Sequence, residues 1–284
     1  MKDFSKIVRI ALLARRLDID TKVIRVRRHS QENQLFKYKK ELSFPPKGSV
    51  GLARANLKGQ PMFYGAVFSN FCISDMPRLT CLFETSREVL DDSFVGKLDL
   101  TYSLWINKRE INLFVIPIFD SYPHPAKDFE WYFELWKKLM KDDTISEEQI
   151  EVLKELSRHF SFTGEWDKEQ NSYAYTADFT TRLLKDYPDI DGIMYPSARL
   201  KEEGMGVNVA IRPEVIDNFF ELKACTVCRY FKRNKKKQLI LNYKHSRFRQ
   251  NGKIYYVIDR EFYRDLDSKN SEYDFKTLHF KYEK

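Results

Sequence analysis

The chain has 284 residues, of which 43% are hydrophobic, 15% aromatic and 32% charged, with a net charge of +8. That is ample apolar material for a core without disulfide or metal staples, and no apolar run approaches the roughly 20 residues that a membrane-spanning helix needs. The basic balance favours an anionic partner: a nucleotide, a nucleic acid or an acidic protein.

The opening "MKDFSKIVRIALLARRL" reads as an amphipathic helix with Ile7, Ile10, Ala11, Leu13 and Leu17 near one face; Arg9 interrupts the apolar stretch and no small-residue cleavage site follows, so it does not read as a secretory signal. "TKVIRVRRH" reads as a strand, with Val23, Arg25 and Arg27 on one face and Ile24, Val26 and Arg28 on the other. After the turn "FPPKG", the segment "GSVGLARANLKGQPMFYGAV" reads as two strands joined by "KGQP", followed by "RLTCLFETS", which places a single glutamate in an otherwise apolar run. "LDLTYSLWI" and "INLFVIPIF" read as a hairpin across "NKRE".

Asp128 to Lys141 reads as a helix burying Phe129, Tyr132, Phe133, Trp136 and either Leu139 or Met140. "SEEQ" at Ser146 to Gln149 is a capping box opening a second helix that carries Ile150, Leu153 and Leu156. "ADFTTRLLKDYP" gives a third helix, stopped by Pro188. "DIDGIMYPSARLKEEGMGVNVAI" gives a strand to Tyr195, a loop, and a second strand from Val207 to Ile211. The last third is a β-meander in which Asn251-Gly252 signals a hairpin and "FKRNKKKQ" a solvated hairpin tip. Strands before and after a helical block make this an α+β chain rather than a parallel α/β one.

The cysteines Cys72, Cys81, Cys225 and Cys228 offer only half of a zinc-site spacing, and Cys225 and Cys228 fall in a β-rich segment where they would point to opposite faces. Buried reduced thiols in a cytoplasmic protein are the expectation. His29, His124, His159, His245 and His279 are scattered, and none is assigned to a metal or to catalysis.

Arg54, Glu84 and Ser197 each sit in an apolar or small-residue setting, "LARAN", "CLFETS" and "MYPSAR". An arginine so held suits phosphate or carboxylate, since its planar fork presents paired donors and keeps its charge. A carboxylate nearby suits a ribose hydroxyl or a developing positive charge. The structural alternatives are an ion pair between Arg54 and Glu84, ordinary strand packing of Tyr64, and a turn or cap at Ser197.

The ordered set "G.ARANLKGQPMFYGA", "CLFETS" and "DGIMYPSAR....GVNVAI" resembles the RES family, whose name records its Arg, Glu and Ser. The resemblance implies an ADP-ribosyltransferase-like split β-sheet core, in one elaborated domain over 1–284. The core would take about 21–125 and 163–229, with a helical insertion at about 126–162 and a β-rich extension at 230–284. It also implies NAD+ as a substrate rather than a cofactor, no metal, and an NAD+-degrading toxin or antiphage effector with a neutralising antitoxin as partner.

Carried over residue by residue, Glu84 would be the catalytic carboxylate, Arg54 would hold the diphosphate or adjoining ribose, and Tyr64 would stack on the nicotinamide side. Ser197, Asn56, Asn208 and Arg25 would bind or position the substrate. Nicotinamide leaves a pyridinium as a neutral base, so one carboxylate beside the ribosyl cation is sufficient. The acceptor stays open between water, phosphate and a protein side chain. The competing reading is a nucleic-acid-binding module using "KRNKKK" and "KHSRFRQNGK" with Tyr230, Phe231, Tyr243 and Phe248. The helical block and the C-terminal strands are the surfaces available to cover a cleft, bind a neutralising protein or build an oligomer.

Overall fold

The computed structural model describes residues 13–31, 34–68, 76–117, 130–163, 166–199, 206–234, 237–248, 251–258, 273–274 and 279–280. These form a mixed α+β fold. The strands are β1 (Ala14–Leu17), β2 (Lys22–Arg28), β3 (Phe63–Val67), β4 (Gly96–Asn107), β5 (Ile111–Val115), β6 (Gly192–Pro196), β7 (Val207–Ile211), β8 (Phe220–Asn234), β9 (Lys237–Phe248) and β10 (Ile254–Ile258). They pair in the order β1-β5-β6-β7-β3-β2-β4-β8-β9-β10. The helices are α1 (Met76–Thr85), α2 (Glu130–Leu139), α3 (Glu147–Ser161), α4 (Trp166–Asp186) and α5 (Pro213–Phe219). None of the described helices is long and apolar enough to cross a membrane.

The hairpin expected across "NKRE" does not form. β4 pairs with β2 and β8, whereas β5 pairs with β1 and β6. Leu17 faces Ile111 and Lys22 faces Ile106, so one antiparallel register runs on across the gap. β1 with β2, and β4 with β5, are therefore two long strands that bend together. The bend lies where Asp20 takes a φ of 65° and the Asn107 side chain donates to the carbonyls of Asp18 and Arg109. "NKRE" contains no glycine to supply the backbone twist of a tight hairpin.

On one side of the bend β2 continues to β3 and β7; on the other β5 continues to β6, and β6 and β7 then pair. The ladder thus returns on itself around a split. Val23, Phe63, Ile193 and Val209 pack inside it against the helical block.

The helix expected over the first 17 residues is likewise corrected where it is described: Ala14–Leu17 is a strand on the edge of β5. Its other apolar positions lie outside the described residues, apart from Leu13, which is buried. In the segment from Gly48 to Val67 the second strand forms but the first does not. Ala53 and Asn56 instead bridge each other across a tight turn.

α2 buries Leu135 and Leu139, and Met140 is exposed; Phe129 and the side chains of Tyr132 and Phe133 lie outside the description. The Ser146 capping box is present, with the Gln149 amide donating to Ser146 Oγ and the Ser146 amide to Gln149 Oε1. Ile150, Leu153 and Leu156 are buried as expected. α4 begins at Trp166, well before the "ADFTT" start; its first turns are polar and carry no apolar period to signal a helix. β5 and β6 are parallel, so α2, α3 and α4 form the crossover that parallel pairing requires.

β8, β9 and β10 pair antiparallel in succession, and Gly252 takes a φ of 75° at the β9–β10 turn. Cys225 and Cys228 lie in separate apolar clusters on the two faces of β8. The "KRNKKK" run is only partly solvated: Lys232 is buried, its ammonium donating to the carbonyls of Val89 and Asp91. Tyr230 and Phe231 are buried as well, which removes two of the four aromatics a nucleic-acid platform would use.

Candidate active site

Glu84 sits in the last turn of α1. The carbonyl end of a helix is its negative pole, an unfavourable place for a carboxylate. Groups from a distant segment offset this. Ser197, at the end of β6, donates to Glu84 Oε1 at 2.6 Å, and Asn208 of β7 donates to the same oxygen at 3.2 Å. Arg199 Nε stands 3.8 Å from Oε2. Ser197 is fully buried, while the Glu84 side chain retains 21% of its exposure. The carboxylate is thus gripped from behind and open in front.

The open side faces a cavity of about 240 Å³ lined by Arg25, Arg54, Tyr64, Tyr173, Tyr195 and Asn208 as well as Glu84. Glu84 and Arg54, 30 residues apart in the chain, therefore share one site. Among the described residues no cluster of three or more His, Cys, Asp or Glu side chains offers a metal site.

Arg54 projects from the Ala53–Asn56 turn and is buried. Its Nη1 donates to the carbonyl of Phe160 at 2.6 Å and of His159 at 3.3 Å, and Nη2 donates to that of Phe162 at 3.4 Å. These carbonyls lie in the last turn of α3 and at its C-cap, where intrahelical amides run out; that of His159 also accepts the Phe162 amide. The guanidinium also lies 4.9 Å over the Tyr173 ring of α4. It lines the cavity while closing α3 onto the sheet.

Tyr64 and Asn56 support the same turn. The Tyr64 hydroxyl donates to Asn56 Oδ1 at 2.6 Å and accepts from the Ala55 amide at 3.0 Å. The Asn56 side chain donates to the carbonyls of Gly51 and Leu57. Asn56 therefore stands behind the cavity wall with its polar atoms engaged, and shapes the turn rather than lining the site. Burial pushes the Tyr64 phenol above its ordinary range, against the opposing hydrogen bond from Ala55, and does the same at Tyr195. Both remain neutral aromatic wall.

Arg25 differs from Arg54. Its Nη1 donates to the Tyr64 carbonyl at 2.8 Å, but its Nε is buried without a hydrogen-bond partner. Burial, and secondarily the neighbouring Arg27 charge, lower its pKa to about 10. It remains a cation at neutral pH and faces the cavity. Burial raises the Cys81 thiol, on the same wall, to about 12, so it is not a thiolate nucleophile.

The structure thus brings Arg25, Arg54, Tyr64, Glu84 and Asn208 to one cavity, with Ser197 immediately behind the carboxylate and Asn56 behind the tyrosine. Arg199, Tyr173 and Tyr195 were not singled out from the sequence. Arg199 and Tyr195 flank Ser197 in "YPSAR", where their proximity to it was the available signal. Tyr173 lies in the polar first half of α4, which carries none.

Residues 122–226 match the RES domain. Over that stretch a RES domain is identified. The match takes in α2 and α3, which fall in the stretch of about 126–162 expected to be a helical insertion, together with α4, and ends within β8. In this RES domain lie Ser197, Arg199 and Asn208, which hold the carboxylate, and Tyr173 and Tyr195; Arg25, Arg54, Tyr64 and Glu84 come to it from the preceding part of the chain. The chain matches no curated protein.

Proposed function

We propose that this protein consumes NAD+ by breaking the bond between nicotinamide and ribose, and that its core is an ADP-ribosyltransferase-like split sheet. The RES domain supports an NAD+-related enzymatic role. The single observation that carries the finer reading is the Glu84 carboxylate, fixed by Ser197 and Asn208 and presented to a cavity that also holds two guanidinium groups and three tyrosines.

Glu84 stabilises the ribosyl cation as the C1′–N bond breaks and its electron pair passes to the ring nitrogen, releasing neutral nicotinamide. Water then adds its oxygen to C1′ and gives up a proton to the medium. The carboxylate is pre-oriented by its two donors, so little reorganisation is needed when positive charge develops. Arg25, a buried cation with an unpartnered donor, suits the anionic diphosphate. Arg54 and the tyrosines form the wall against the nicotinamide ribose. A cavity of about 240 Å³ is below the roughly 300–1,000 Å³ of drug-sized sites, so it suits the nicotinamide half of the dinucleotide, the remainder lying outside. A protein side chain in place of water would make the same site an ADP-ribosyltransferase. In this reading the protein works in the cytoplasm as a toxin or antiphage effector restrained by a neutralising protein.

The test is NAD+ consumption with product identification, with and without inorganic phosphate, in wild type and Glu84→Gln. Loss of NAD+ with wild type alone supports the reading, and the product names the acceptor. Folded wild type that leaves NAD+ intact, or a Glu84→Gln variant as active as wild type, overturns it.

A further inference from the structure

We infer that Gly206 is a positioning residue that sets the reach of the Glu84 carboxylate through a size-matched contact with Thr80; the inference rests on the reading of Glu84 given above. Thr80 and Glu84 are one helical turn apart on α1 and so share a face. Thr80 is buried, and the backbone of Gly206 lies directly against it. A Cβ at position 206 would fall 2.1 Å from Thr80 Oγ1, 2.8 Å from Cγ2 and 2.9 Å from Cβ. Rotating Thr80 about χ1 moves its two γ atoms among three staggered sites, so at least one of them always stays against position 206, and the 2.9 Å contact to Cβ does not change; no rotamer removes the overlap entirely.

Residue 206 has little freedom to retreat. Its carbonyl accepts the Ser197 amide at 2.7 Å, and the next residue begins β7, paired on both edges with β3 and β6. The same short segment thus anchors the backbone of one donor to Glu84, Ser197, and leads in two residues to the other, Asn208. A side chain at 206 therefore displaces α1, and with it the carboxylate, from two donors that stay with the sheet. An error of about 1 Å in such a group costs on the order of 10²-fold in rate.

The experiment compares Gly206→Ala, Thr80→Ala and the double variant for thermal melting, kcat and KM. The expected result is a folded Gly206→Ala protein with kcat about 10²-fold lower and KM within about threefold, the signature of an interaction made in the transition state. Removing the γ atoms in the double variant leaves only the 2.9 Å contact to Cβ, which a shift of a few tenths of an ångström relieves, and should restore at least a third of the Thr80→Ala rate. A kcat for Gly206→Ala within about threefold of wild type, or a folded double variant with no recovery, overturns the inference. If Gly206→Ala does not fold, the double variant alone decides. Crystal structures of wild type and variant keep this separate from the assignment of activity: the 2.6 Å Ser197–Glu84 contact should open past hydrogen-bonding distance in Gly206→Ala, whatever the protein does to NAD+, and an unchanged contact overturns the inference.

Discussion

The two walls of the cavity use similar residues for different ends. On the carboxylate wall, Ser197 and Asn208 converge on one side-chain atom, Glu84 Oε1, and leave the group partly open. On the arginine wall, Arg54, Asn56 and Tyr64 spend their hydrogen bonds largely on backbone: Arg54 on the end of α3, Asn56 on Gly51 and Leu57, Tyr64 on Ala55. Polar side chains aimed at another side chain in a cavity prepare a chemical group. Polar side chains aimed at orphan carbonyls and amides prepare a shape.

The sharpest test of that contrast is Glu84→Gln. It retains the size and most hydrogen bonds but loses the charge, so turnover should fall by about 10²–10³-fold while the melting temperature changes little. Arg54→Ala should do the reverse in emphasis. It leaves carbonyls at the end of α3 unsatisfied in a buried setting, a loss of about 3 kcal/mol visible as a lower denaturation midpoint, with activity falling because the wall collapses. A normal midpoint with only a raised KM would place Arg54 with the ligand and erase the distinction between the walls.

Arg25 sharpens it from another side. Its pKa is depressed to about 10, below the value it has in an unfolded chain. The unfolded state therefore binds more protons above about pH 10, and stability gains from this group as pH rises through that window; at neutral pH the buried charge is a cost. Arg25→Met should thus melt no lower than wild type, yet raise KM for NAD+ by about tenfold, the loss of one charge-assisted contact. Equal KM values would remove Arg25 from the anion site.

Tyr64→Phe should cost about 1–2 kcal/mol by leaving the Asn56 oxygen and Ala55 amide unpaired, measured by denaturant unfolding, with turnover reduced less than in Glu84→Gln. The smallest effect is expected at Cys81, whose thiol is held protonated by burial. Cys81→Ala should keep turnover within about threefold, and a larger loss would bring the thiol into the chemistry.

Local signals carried much of this protein. The Ser146–Gln149 capping box, the alternation in Lys22–Arg28, the apolar run at Gly192–Pro196 and Asn251-Gly252 each specify their own neighbourhood, because caps, strand periodicity and tight turns are decided within a few residues. The three short motifs likewise picked out Glu84, Arg54 and Ser197 as exceptional by their chemistry in apolar settings. Which strand each segment would pair with was a different matter. "LDLTYSLWI" and "INLFVIPIF" looked like partners because they are adjacent and apolar, and only the long β1–β2 strand, offering an edge to both, turned them into one bent strand.

The roles of the polar residues were decided in the same way. Nothing within "LARAN" announces that the Arg54 guanidinium will meet the carbonyls of Phe160 and Phe162 more than 100 residues later, nor within "GMGVN" that Gly206 must leave room for Thr80. Composition and motif determine which groups are present and what chemistry each can do. Which of them face a ligand and which hold up the wall depends on hydrogen-bond partners and close contacts that exist only once distant segments are packed together.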